Sequence, residues 1–186
     1  MSKGIMIFGA AGAGKTTLGR AAACALGFPY FDIDDYIWRT DTDQPYTQMY
    51  PRAERASRLM AAISPHDHFV MAGSMDSFNA PFVPLFELAV HLTAPAALRA
   101  ERLHTRELSE FGARILPGGD MHEAHERFLH DAMLYDSDTP SSTSFKTHSE
   151  WAASLPCPVL MLNGADSVER NCEEIVSAYR AAVGQV

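Results

Sequence analysis

Gly9-Ala10-Ala11-Gly12-Ala13-Gly14-Lys15-Thr16 constrains this chain more than any other stretch. It fits the spacing G-x-x-x-x-G-K-[ST] and stands between the short apolar run Ile5–Phe8 and a helical pattern that starts near Lys15 and stops at Gly27. A strand–turn–helix of this kind turns successive backbone N–H groups toward one centre, where the helix N-terminus adds its positive dipole end. The phosphates of a nucleoside triphosphate suit that centre. Lys15 is a point charge for the β- and γ-phosphates, and the Thr16 hydroxyl is the expected Mg²⁺ ligand. The backbone from Gly9 through Thr17 forms the cradle. Such a motif implies a triphosphate site and leaves its use open.

The rest of the chain alternates short apolar runs with longer helical patterns. Tyr30–Asp34, Phe69–Ala72, Leu88–Leu92 and Val159–Leu162 read as further strands. In the first helix Leu18, Ala22, Ala25 and Leu26 mark the inner face. Pro51 opens a helix with the stripe Ala56, Leu59, Met60 and Ile63, and Pro95 starts another. In the last helix Val168, Cys172, Ile175, Val176, Tyr179 and Val183 recur at helical spacing, Asp166 with Glu169 reads as a capping box, and Gly184 ends it. Strands alternating with helices predict an α/β fold with a mainly parallel five-stranded sheet and helices on both faces. Residues 36–50 show no clear periodicity, and the Ser/Thr-rich stretch 136–149 reads as a mobile loop.

A length of 186 residues predicts one domain. Fifteen Lys and Arg against 23 Asp and Glu give a net charge of −8, which argues against nonspecific binding to nucleic acid or membrane surfaces. No apolar run reaches the length of a membrane span, and Ile5–Phe8 is too short for a secretory leader. Cys24, Cys157 and Cys172 lack metal spacing and read as three thiols in a reducing cytoplasm.

Transport and motor ATPases carry an acid at the end of a hydrophobic strand. Here Phe69–Ala72 ends in Gly73-Ser74. Asn163-Gly164-Ala165-Asp166 lacks the Lys of a guanine reader and reads as a strand end and helix cap. The acids stand instead in Asp32-Ile33-Asp34, whose i, i+2 spacing in a strand points both carboxylates to one side. One is expected to hold hydrated Mg²⁺ (Asp32) and the other to orient an incoming hydroxyl (Asp34). The alternative is a polar strand end in which Asp34 or Asp35 caps the next helix. Arg99, Arg102 and Arg106 share one helix face, which also fits a solvated face balanced by Glu101 and Glu107. His122, His125 and His130 read as part of an exposed helix. Trp38, Tyr46 and Tyr50 fit either a substrate pocket or ordinary packing.

The order GAAGAGKTT, YFDIDD, FVMAGS, LRAERLHTR resembles the shikimate kinase and adenylate kinase-like group of small P-loop kinases over nearly the whole chain. The resemblance implies a P-loop NTPase three-layer sandwich. It implies ATP with Mg²⁺, and a small metabolite, nucleoside or nucleotide as phosphoryl acceptor. It also implies that Arg52 and the turn at Gly73 grip the acceptor, that Arg102 packs on the adenine and that Arg106 reaches the transferring phosphate. The family's F-R-x-x-E around the first of these arginines is not kept, since Pro51 precedes it and Arg55 stands where the Glu would be. Catalysis is thus expected from Lys15, Asp34 and Arg106 in a cytoplasmic enzyme. A lid over residues 107–120 would exclude water and carry Arg114 inward, with Asp120 and Glu123 capping the helix beyond it. Residues 35–63 would cap the acceptor. The competing reading is a nucleotide-binding switch that hydrolyses ATP slowly and moves a protein partner.

Overall fold

A computed structural model describes residues 2–39, 41–42, 47–75, 77–137, 139 and 143–184. In chain order its elements are β1 (Lys3–Gly9), α1 (Lys15–Leu26), β2 (Tyr30–Asp32), α2 (Asp34–Ile37), α3 (Arg52–Ile63), β3 (His68–Ala72) and β4 (Phe86–Thr93). Then come α4 (Ala96–Phe111), α5 (His122–Met133), α6 (Phe145–Ser154), β5 (Val159–Asn163) and α7 (Val168–Val183). Within β1, Ile5 and Ile7 belong to one core and Met6 and Phe8 to the other, and all four are fully buried. A strand buried on both faces must be central. β1 accordingly pairs with β3 on one side and β4 on the other, in a sheet of order β2-β3-β1-β4-β5 whose described pairings are all parallel.

Helices α1 and α7 cover one face, through Leu18, Ala22, Ala23, Ile175 and Tyr179. Helices α3 and α6 cover the other, through Leu59, Ile63 and the half-buried Trp151. Each fully buried apolar side chain of this kind stabilises by about 1.5–3 kcal/mol. The carboxyl ends of β1, β2 and β3 meet above these two layers, where ligands of open parallel sheets bind.

The structure corrects several expectations. β2 stops at Asp32, and Asp34 begins a helix. In α1, Ala23 is buried and Ala25 exposed. Pro51 and Pro95 do open their helices, each from the N-cap position. The cap of α7 is Ser167, whose hydroxyl accepts from the Arg170 N–H, and not Asp166. The stretch expected to be a mobile loop contains the start of α6. There Ser144 accepts from the Thr147 N–H while Thr147 Oγ1 accepts from the Ser144 N–H at 2.9 Å. That reciprocal cap uses Thr where the familiar pattern has Glu or Gln. Tyr46 and residues 140–142 lie outside the described residues. Among the described residues, no helix is long and apolar enough to cross a membrane.

Candidate active site

The turn between β1 and α1 has the geometry that its glycines permit. Gly12 has φ of 76°, and a Cβ there would stand 2.6 Å from the Arg99 carbonyl oxygen, so only glycine fits under the start of α4. Gly14 is the N-cap of α1 and lends no side-chain acceptor to the first turn. The N–H groups that open α1 are therefore available to an anion. Gly9 ends β1, Ala10 and Ala13 are buried, and Thr16 and Thr17 are exposed. Lys15 Nζ donates to the Ala10 carbonyl at 2.8 Å, which folds the ammonium back over the turn. Burial lowers the Lys15 pKa, while Asp34 and Asp32 oppose that shift.

Asp32 is held by three donors. Its Oδ2 accepts from Thr16 Oγ1 at 3.1 Å and from the Tyr30 hydroxyl at 3.0 Å, and its Oδ1 accepts from the Asp34 N–H at 3.3 Å. Asp34 reaches the same site by a turn at Ile33, and not by the strand alternation expected from i, i+2 spacing. Its carboxyl is open to solvent at the crevice. Desolvation by the surrounding chain is nonetheless the first cause that raises its pKa, and the Asp32 charge adds to it. Lys15 and Arg106 pull the other way. Ile33 stands at the N-cap of α2, so neither Asp34 nor Asp35 plays the capping role. Thr16 and Asp32 together present oxygen donors beside an uncapped helix N-terminus, the donor set that a hard ion such as Mg²⁺ prefers.

The three arginines of α4 divide. Arg102 donates to the Gly164 carbonyl at 3.0 Å and the Ala13 carbonyl at 3.4 Å, bridging the phosphate loop and the loop after β5. Arg106 lies 6.0 Å over the Phe128 ring, and its charge acts on both Lys15 and Asp34. Arg99 is a buried structural group. It donates to the Ala94 and Ala132 carbonyls and pairs with Asp136, fastening α4 to the end of α5.

Other expected residues are dispersed. Arg52 is the exposed first residue of α3 and makes no hydrogen bond to the acidic pair. Gly73 has φ of 143°, and a Cβ there would stand 2.7 Å from Ile33 Cβ, so this glycine seats the turn between the two aspartates. Arg114 is engaged with Asp120 through Nε–Oδ1 at 3.0 Å and Nη2–Oδ2 at 2.7 Å, which removes Asp120 as a cap for α5. His125 is buried and not exposed. Its Nδ1 meets Glu107 at 2.6 Å and its Nε2 meets His104 at 2.9 Å. Tyr50 packs under the Arg58 guanidinium at 4.1 Å.

Sequence reasoning missed Tyr30 as a support of Asp32. It also missed Asn79, Thr147, His148 and Trp151, which with Phe8 and with Ser74 and Met75 of the turn at Gly73 line a pocket near the end of β1. The Ser144–Thr147 pairing was the signal that could have placed α6.

The chain belongs to the AAA domain family (AAA_18), whose model it matches over residues 5–126. Its fold is that of the P-loop kinases. An uncharacterized protein of Bacillus subtilis, YqaC, is 31% identical over 176 residues, with 95% of this chain and 97% of that protein covered. Shikimate kinase 2 of Dickeya chrysanthemi is 32% identical over 111 residues, and the match spans 55% of this chain and 64% of that enzyme. Among solved structures, the shikimate kinase of Bacteroides thetaiotaomicron superposes with a TM-score of 0.57 at 18% identity, covering 94% of this chain and 97% of that one.

Proposed function

We propose that this protein transfers the γ-phosphoryl group of ATP to a hydroxyl of a small metabolite, nucleoside or nucleotide. The observation that carries the reading is the convergence of the uncapped α1 N-terminus and Lys15 with Thr16, Asp32 and Asp34, within the field of Arg106. The N–H groups of residues 9–17 and Lys15 would hold the phosphates. Thr16 and Asp32 would hold Mg²⁺, which when bound neutralises charge on the β- and γ-oxygens. The acceptor oxygen attacks the γ-phosphorus, the bond to the β–γ bridging oxygen breaks, and ADP leaves. The transition state is loose, so positioning and charge neutralisation matter more than a strong base. Asp34 would accept the hydroxyl proton as transfer completes. Arg106 would meet the transferring phosphate, and Arg102 would lie against the base of ATP. Arg52, Gly73 and, on closure of residues 107–120, Arg114 would complete the acceptor side, with residues 35–63 capping it.

ATP turnover with and without a library of small hydroxyl compounds tests this. ADP release should depend on at least one acceptor and vanish in Lys15→Ala, with melting changed by only a few degrees. Slow hydrolysis indifferent to every acceptor would instead favour a nucleotide switch.

A further inference from the structure

Beside the phosphate loop lies a pocket of about 170 Å³, at the C-terminal ends of β1 and β3. A cavity of roughly 150 Å³ holds a benzene-sized molecule, so this one suits a single six-membered ring. Its apolar wall is Met75 with the perpendicular rings of Phe8 and Trp151, whose centroids are 4.7 Å apart. The polar lining comes from Ser74, Asn79, Thr147 and His148. Tyr135 fixes the orientation of His148, its hydroxyl lying 2.9 Å from His148 Nδ1 and 3.0 Å from His91 Nε2. Among the described lining residues there is no Lys, Arg, Asp or Glu.

The pocket is linked to the acidic turn through the end of β3. Ser74 follows Gly73, and Gly73 packs on Ile33, which lies between Asp32 and Asp34. A ring seated here would border the turn that joins the two aspartates. A carboxylate or phosphate turned into this lining would lose its hydration without a Lys or Arg among the described lining residues to replace it, which strongly disfavours binding. Aromatic walls with hydroxyl, amide and imidazole hydrogen-bonding groups favour an uncharged ring bearing hydroxyl or amide groups.

We infer that this pocket is the acceptor-specificity site and that the acceptor's ring is uncharged. The inference rests on the kinase reading of the neighbouring site. Myo-inositol and glucose serve as hydroxylated probes, uridine and cytidine as base-bearing probes, and shikimate, quinate, AMP and CMP as charged ones. Calorimetry and melting measure binding, and ADP release measures transfer. At least one uncharged probe should bind, and the responding arm tells a polyol ring from a base. Asn79→Ala should weaken that binding about tenfold, the loss expected for one hydrogen bond. Ser74→Ala serves the same purpose should the first variant melt early. A response to charged probes alone, to none of the probes, or one unchanged in both variants overturns the inference. The two readings fail separately. An uncharged ring that binds but is never phosphorylated ends the kinase reading and leaves the pocket assigned, whereas phosphorylation of a ring acid alone does the reverse.

Discussion

At the scale of single residues, two titrating groups give the site and the core different pH dependences. The Asp34 carboxyl is raised above its usual 3.8 by desolvation and then by Asp32. If it accepts the acceptor's proton, kcat/KM should fall as pH drops through a value above the ordinary aspartate range. Asp34→Asn should lack that limb and lose on the order of 10²-fold or more in rate. A pH–rate profile decides it, and an Asn variant with the wild-type limb removes Asp34 from proton transfer. His91 is fully buried against Phe8, and its pKa is lowered from 6.5 to about 4 by burial first and the His148 charge second. Its Nδ1 has no partner among the described residues. Between those values the unfolded chain binds a proton that the folded chain refuses, so stability drops as pH falls from about 6.5 toward 4. Integrated over that window the loss is roughly 3 kcal/mol. His91→Gln should flatten this part of the curve, measured by urea unfolding at pH 7 and pH 4.5. An equal slope in both proteins would assign the acid sensitivity elsewhere.

At the scale of elements, the central strands were legible because they are short apolar runs, and α7 because its stripe repeats for four turns. The end of β2 was not, since Asp-Ile-Asp fits a strand end and a helix start equally, and contact of Ile33 with Gly73 settles which forms. The turn between β1 and α1 was readable in place because the spacing of its glycines is fixed by backbone geometry. Arg99 was misread because a helical face alone cannot tell a solvated arginine from one anchored to Asp136 across the chain. The segment after α4 is a short 3₁₀ turn over Gly112–Ile115, pinned by the buried Ile115 and closed by the Arg114–Asp120 pair. Gly112 opens it and Gly118 follows it, with φ of 59° and 89°, and residues 107–120 are the segment proposed to close. Hydrogen exchange across 107–120 should slow when a non-hydrolysable ATP analogue and an acceptor saturate the protein. Unchanged exchange there would make it a fixed surface turn and strip Arg114 of its role.

At the scale of the whole molecule, the sheet order places the phosphate loop between strands that lead to two different regions. β4 leads into the arginines of α4, and β3 leads into the pocket. Two face-covering cores hold these regions at fixed distances, since a close-packed interior transmits displacement and does not absorb it. The phosphate machinery, from Gly9 to Arg106, lies inside the stretch that matches the family, residues 5–126. Helix α6, which lends Thr147, His148 and Trp151 to the pocket, lies outside it. On the proposed reading the residues assigned to the triphosphate all lie within the matched stretch, whereas the pocket draws Phe8, Ser74, Met75 and Asn79 from it and the rest from α6. A chimera that exchanges residues 144–154 for the corresponding helix of a relative would redirect selectivity while inheriting the transfer apparatus intact, which makes this short helix the natural cassette for re-engineering.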